Sequence, residues 1–484
     1  MEHYQSVFEP LLPRGHGRPM CWGRLYGAAA GTLLAQAGAR HAGPLIAVVA
    51  DMQSAYRLET EVRFFRLEHD LPVLVFPDWE TLPYDIFSPH QDIVSQRLET
   101  LYRLPTVERG VLIVAASTLM QRLAPREHLD ASSLMIDAGD RLELDVTRRR
   151  LEAAGYHYVA QVMEHGEFAV RGSLIDLYPM GAELPYRIDL FDEEVESIRT
   201  FDPESQRSVA HVEGVRLLPA HEFPLTAEAI GRFRRRFRAR FEGDPRGVPV
   251  YRDVSQGLAP GGVEYYLPLF FEHTDTLFDY LPDGALVVTA DGVEGAAEQF
   301  WSQVQERYEE HRHDRERPLV APEELFLDPE ALSERIASFR RARVQSFELE
   351  GDTTGADCAE RVNYATSAPP DLQIRPRTAE PGRALNRFLE AHEGRALFAA
   401  ESPGRREALL TMLREQDLHP AVYEDWQAFL RGDRRHGIVV APIEHGVLLD
   451  DPPTAVIAEA QLFGERAMQR RRRARVERDA EALV

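Results

Sequence analysis

The stretch Gly23–Gly38, GRLYGAAAGTLLAQAG, is the first in the chain whose residue types and spacing suggest chemistry. It opens a helix and is followed by an apolar strand, PLIAVVAD (44–51), the layout in which nucleotide-binding proteins cradle phosphates. A phosphate loop reads G-x-x-x-x-G-K-[ST]; its backbone N–H groups hold phosphate oxygens and its lysine reaches the phosphates. Here Gly31 and Thr32 run straight into Leu33 and Leu34, and the 484 residues contain no lysine. All 56 basic residues are arginine. Arginine's planar fork does not fill the space of a compact ammonium. The stretch therefore reads as a helix packed through small side chains, and an ordinary lysine-dependent ATPase is excluded.

A second candidate lies in PYRIDLF (185–191). Strand alternation puts Tyr186, Ile188 and Leu190 on one face, the core face, and Arg187, Asp189 and Phe191 on the other. The charged face should meet solvent, yet it ends in a phenylalanine. An exposed aromatic beside an arginine is the usual make-up of a protein-interface hot spot. Arg171, in the neighbouring strand FAVRG, can join them. The competing reading packs Phe191 under the acidic turn DEEVES and pairs Arg187 with Asp189.

Two kinds of element must position these residues. Up to about residue 133, apolar strands (44–51, 71–77, 110–117) alternate with helical patterns (52–67, 91–104), which implies a parallel sheet covered on both faces. From 134 to 220, period-2 strands punctuated by Gly172, Pro179, Gly181 and Pro203 read as a small α+β insert. From 221 to 355 helices and strands alternate again. Thr226 caps a helix whose apolar stripe is Ile230, Phe233, Phe237 and Phe241; GALVVTADG (284–292) is a buried strand. A second, smaller α/β unit follows over 356–462, and 463–484 is a charged helical linker.

Composition narrows the setting. Acidic residues outnumber arginine 79 to 56, a net charge of −23 that repels free nucleic acid unless the arginines cluster. The two cysteines, Cys21 and Cys358, have no metal-ligand spacing, which points to a reducing compartment and away from zinc. No signal pattern opens the chain and no apolar run reaches the ~18 residues of a membrane span. The expectation is a cytoplasmic monomer with no membrane contact and no metal site.

Longer stretches carry a resemblance. FPDWETLPYDIFSPHQDIVSQRLETLYRLPTVERGVLIVAASTLMQRLAP (76–125) closely resembles the bacterial transcription-repair coupling factors, the Mfd family. QVMEHGEFAVRGSLIDLYPMGAELPYRIDLFDEEVESIRTFD (161–202) does too, and it is also similar to a domain of the excision-repair protein UvrB. GLAPGGVEYYLPLFF, TLFDYLPDGALVVTADGVE, ESPGRREALL and IEHGVLL extend the match over essentially the whole chain.

The resemblance implies a helicase-type, RecA-like α/β domain in two pieces: domain 1a (1–133) and domain 1b (221–355). The UvrA-binding insert, domain 2 (134–220), lies between them, and domain 3 (356–462) follows. It also implies what has been lost. The UvrB phosphate loop matches Gly27 through Leu34, with Gly27, Gly31 and Thr32 in the loop and Leu33 at the lysine position. The acidic pair that handles magnesium and water matches Ala290 and Asp291. The DNA-clamping hairpin of UvrB has no room in DIFSPHQ (85–91). The chain therefore reads as non-enzymatic, with no catalytic residues and no cofactor. ATP and magnesium belong to motor domains of the full-length family protein, and the contacts with RNA polymerase and double-stranded DNA belong to further regions of it, the polymerase contact to a binding domain of its own. By the same resemblance Arg171, Arg187 and Phe191 bind UvrA, recruiting excision repair to stalled polymerase. The rival reading is a UvrB-like DNA-dependent ATPase or helicase.

Overall fold

A computed structural model describes residues 4–350, 358–374 and 382–463. The charged segment beyond Phe463 lies outside the described residues. The chain divides into two compact units: Met1–Gly23 with Gly31–Asn363, and Arg24–Ala30 with the chain from Tyr364 onward.

The first unit starts with β1 (Met20–Gly23), α1 (Ala29–Arg40) and β2 (Pro44–Val49). Next comes α2 (Met52–Phe65), which begins where Asp51 accepts the Ser54 N–H at 2.7 Å, so the acid ending the strand is also the helix cap. β3 (Val73–Phe76), α3 (Gln91–Arg103) and β4 (Gly110–Ala115) complete the amino-terminal part. The six residues of β2 and of β4 are all buried, as expected for inner strands covered on both faces.

The chain then leaves this sheet. After α4 (Leu144–Ala153) come β5 (His157–Tyr158), β6 (Glu167–Arg171), β7 (Leu174–Leu177), β8 (Tyr186–Phe191), β9 (Glu194–Phe201) and β10 (Ser208–Val212). They form one six-stranded sheet in the order β10-β9-β8-β7-β6-β5, antiparallel apart from the β5–β6 edge. Leu134–Asp137 and Gly214–Leu217 pair at the entrance and exit of this insert, closing it off.

The chain returns through α5 (Ala227–Arg240), where Thr226 Oγ1 accepts the Ala229 N–H at 3.3 Å and Phe233 and Phe237 are buried. β11 (Leu286–Thr289), α6 (Val293–His311), β12 (Arg340–Val344) and β13 (Glu360–Asn363) then complete the first sheet. Its order is β13-β1-β12-β11-β2-β4-β3, with every neighbouring pair parallel. β13 lies beyond the boundary read near 356, so the second unit takes up the chain only at Tyr364. That unit has a mixed six-stranded sheet, whose central Arg395–Ala400 strand is flanked in parallel by His436–Val440 and Pro453–Ala458.

One reading is overturned. Cys21 and Cys358 form a disulfide. β1 and β13 run side by side in parallel, and the Ala359 N–H donates to Pro19 O at 2.8 Å, so residues 337 apart in sequence become neighbours. The inference of a reducing compartment from their separation therefore fails. The described residues contain no group of His, Cys, Asp and Glu fit to hold a metal, and no helix long and apolar enough to cross a membrane.

Candidate protein-interaction site

The alternation read in PYRIDLF is present. Ile188 and Leu190 are buried in the main core with Phe168, Ile175 and Ile198, while Phe191 is 70% exposed. Phe191 stands opposite Glu194 at the end of a hairpin whose two-residue turn, Asp192–Glu193, has Asp192 in the left-handed region (φ 57°). A bulge between Asp189 and Leu190 shifts the β8–β9 register just before this tip. Phe191 is thus not packed beneath the acidic turn; the hairpin carries it into solvent.

Register brings the other two residues to the same face. Arg171 pairs with Leu174 across the β6–β7 hairpin, Leu174 pairs with Asp189, and Arg187 pairs with Asp176. The Asp176 side chain is only 1% exposed and lies between both arginines. Arg187 Nε donates to its Oδ1 at 2.7 Å and Nη2 to its Oδ2 at 2.9 Å, while Arg171 Nη2 donates to Oδ2. Arg187 Nη1 donates to Gln206 O at 3.3 Å, and its guanidinium lies 4.7 Å from the Phe201 ring centroid. Hydrogen bonding to Asp176 raises the Arg187 pKa further, so the guanidinium keeps its charge at any working pH.

Two expectations change here. Arg187 pairs with Asp176 and not with Asp189, which instead accepts from Arg199 at 3.2 Å. Nor does the charged face simply meet solvent: the side chain of Arg187 is 16% exposed, whereas that of Arg171 is 50% exposed. A small apolar cluster of Val162, Ala169, Tyr178 and Phe201 covers part of that face. Asp176, the hub, went unnoticed in the sequence. Its only signal there is a lone carboxylate in the apolar run LIDLYP.

The glycine-rich stretch is differently built. Gly31, Thr32 and Leu33 lie in α1, and Thr32 and Leu33 are fully buried. A Cβ on Gly31 would strike Glu61 of α2, so a small residue is required by close helix packing. Residues 24–30 belong to the second unit. Gly27 has φ 56° and faces the Gly446 carbonyl, to which the Ala28 N–H donates at 3.0 Å. At the end of β11, Ala290 N–H donates to Val48 O at 2.9 Å and Asp291 is exposed. A cavity of about 480 Å³ there is lined by Thr289, Ala290, Asp291, Glu294, Arg341 and Arg343, with Arg343 held by Glu294 at 3.2 Å.

Comparison with known proteins gives these features a context. Residues 134–223, the insert carrying Phe191, match the family model described as the UvrB interaction domain. By sequence the chain belongs with the transcription-repair-coupling factors. It is 42% identical over 478 residues to the factor of Escherichia coli (strain K12), covering 98% of this chain and 40% of that protein. For the Haemophilus influenzae factor the identity is 38% over 482 residues, with 99% and 41% covered. For the Myxococcus xanthus factor it is 30% over 483 residues, with 93% and 39% covered. Residues 388–462 match the family model described as MFD, D3 domain. The chain spans about two-fifths of the length of these curated relatives.

Proposed function

We propose that this chain is the recruiting part of a transcription-repair-coupling factor, and that its insert binds the damage-recognition protein UvrA. The observation that carries the reading is Phe191: a large aromatic, 70% exposed, at the hairpin tip of a sheet that matches the UvrB interaction domain. Arg171 supplies a half-exposed cation on the same face, and Arg187, mostly buried on Asp176, holds that face in shape. Exposed aromatics flanked by arginine dominate interface energetics. Recruitment of excision repair to stalled RNA polymerase, and ATP-driven translocation on double-stranded DNA, belong to the full-length relatives and extend the proposal to the whole protein.

The deciding experiment is an interferometry titration with purified UvrA on the parent chain and on Phe191→Ala. A hot-spot loss of about 2 kcal/mol, roughly thirtyfold in affinity, is expected with an unchanged thermal melt. Equal affinities would remove Phe191 from the interface.

The parallel sheet fits a helicase-type frame that no longer handles nucleotide. Leu33 is buried where a lysine would stand, and the Ala28 N–H is committed to a carbonyl. This disfavours the UvrB-like ATPase reading. Calorimetric titration with millimolar ATP and magnesium should show no binding heat, and a saturable signal would restore that reading. DNA binding should be weak, at ~10⁻⁴–10⁻⁶ M and independent of sequence.

A further inference from the structure

Two loops of the first unit present apolar side chains to solvent beside a buried acid. One is LPYDIFS (82–88), in which Leu82 is exposed and Ile86 and Phe87 are 59% and 67% exposed. The other is QGLAPGG (256–262), with Leu258 exposed. They lie together, for the Gly262 N–H donates to Ser88 Oγ at 3.1 Å. Apolar side chains grouped on a surface in this way mark contact sites.

The first loop is firmly held. Leu82 O accepts from the Tyr265 hydroxyl at 2.6 Å and Pro83 O from Arg307 Nε at 2.5 Å. Arg317 donates to Tyr84 O at 2.8 Å and also to Asp85 O. Tyr84 is fully buried with φ 59°, a strained conformation for a bulky residue. Ile86 and Phe87 are thus displayed by an anchored segment, which loses little freedom on binding.

A cavity of about 110 Å³ opens beside these loops, with exposed Ser88 and Ala259 on its lining. Within it Glu264 is 8% exposed and accepts from Ser88 Oγ at 2.8 Å, but it makes no ion pair with any described residue. Glu222, the other carboxylate of the lining, is matched by Arg97 at 2.5 Å. Gln91 Oε1 is buried with no hydrogen-bond partner. Burial raises the Glu264 pKa to about 7, the sign of a carboxyl kept from water without a counter-cation. The group that would satisfy this cavity is a charged donor. Glu264 and Gln91 belong to separate segments, and acceptors set apart suit the three donors of an ammonium better than a planar guanidinium fork. The cavity has room for one long side chain and not for a length of backbone. The chain has no lysine, so that side chain comes from another protein.

We propose that this surface binds a lysine-bearing apolar segment of a partner protein, its ammonium entering the cavity toward Glu264 and Gln91 and its flanking apolar side chains packing on Ile86, Phe87 and Leu258. None of these residues belongs to the face of Arg171, Arg187 and Phe191, so the surface stands apart from the UvrA reading.

The test is fluorescence anisotropy at pH 8 on the 484-residue chain, with a labelled peptide bearing one lysine between leucine pairs. Peptides with acetyl-lysine or arginine in its place serve as comparisons. We expect saturable binding of the lysine peptide, at least about tenfold weaker binding of the acetylated one, and weaker binding of the arginine one. Glu264→Gln keeps the shape and removes the charge, and should lose about tenfold or more. Phe87→Ala, on the exposed loop, should lose about threefold or more. Thermal melts confirm folding; should Glu264→Gln misfold, Phe87→Ala and the acetylated peptide decide. No saturable binding, equal binding of the acetylated peptide, or unchanged affinity in the folded variants would overturn the proposal. So would tighter binding of the arginine peptide, which would open the site to arginines of this chain itself.

Discussion

The parallel sheet and the insert sheet solve opposite problems with the same kinds of residue. In the parallel sheet the position read as a lysine site is a buried leucine, and the position read as part of an acidic pair is an alanine. On the proposed reading, groups that nucleotide chemistry would need are replaced there by groups that packing prefers. In the insert a carboxylate is buried and a phenylalanine is exposed. Both choices cost stability unless something else uses them, because a buried charge needs partners and an exposed large aromatic forgoes its burial energy. The parallel-sheet body also buries charge, in the Arg97–Glu222 pair, so what marks the insert is the placing of a buried carboxylate, two arginines and an exposed phenylalanine on one face.

The sharpest challenge to this contrast is Leu33→Lys, which puts a lysine at the position in α1 that the resemblance aligns with the phosphate-loop lysine. If the site is truly filled, an ammonium there lands in the core and destabilises the fold by roughly 4 kcal/mol or more, with no ATP binding gained. Chemical denaturation and calorimetry read both outcomes. A stable variant that binds nucleotide would mean the frame is only one residue from function.

Next is Asp176→Ala. It leaves Arg187, 16% exposed, without its carboxylate and should cost about 3 kcal/mol of unfolding free energy. UvrA affinity should fall with it, since the arginines lose their anchor. A variant of parental stability would show that the buried pair is not what holds this face.

Phe191→Ala should move binding alone: about 2 kcal/mol from UvrA affinity and no more than about 0.5 kcal/mol from stability. A large drop in melting temperature would place Phe191 in the core and erase the contrast.

The smallest effect lies within the first unit, where the insert meets the parallel-sheet body. There a cavity of about 110 Å³ is lined by Gln91, His157, His221 and Glu264, among others. Burial raises the Glu264 pKa from 4.5 to about 7 and lowers that of His221 to about 4. For Glu264 the folded pKa lies above the unfolded one, so its contribution is fully present below about pH 4.5 and is lost as pH rises through 7. Glu264→Gln removes that loss. The variant should be more stable than the parent by about 1–2 kcal/mol at pH 8 and equal to it near pH 4. Urea melts across this range would show the two curves converging at low pH; parallel curves would contradict the assignment.

The local devices of this fold were legible in the sequence. Thr226 as a cap, Phe233 and Phe237 as a buried stripe, and the alternation of Ile188 and Leu190 against Phe191 all follow from side-chain type and period over a few residues. Partners set by strand register were not. Arg187 sits two residues from Asp189, the carboxylate that one strand alone suggests, but pairing across to β7 presents Asp176 instead. The Cys21–Cys358 link was hidden for the same reason, since only the sheet order makes those residues neighbours. Leu33 was legible as a missing lysine but not as a core residue, because burial depends on α2 lying against α1.

Residues 24–30 belong to the second unit although the rest of that unit starts 340 positions after Arg24. Arg24 donates to Tyr364 O at 3.2 Å and to Thr366 O at 2.7 Å, and Thr366 Oγ1 donates back to Arg24 O. During synthesis the second unit therefore cannot mature as a late, self-contained module. It must retrieve a strip of chain that left the ribosome some 340 residues earlier, a contact of very high sequence separation and a correspondingly slow closure. A fragment starting at Tyr364 would emerge with the Tyr364 and Thr366 carbonyls and the Asp450 side chain lacking their arginine, and its tendency to aggregate would report the missing strip.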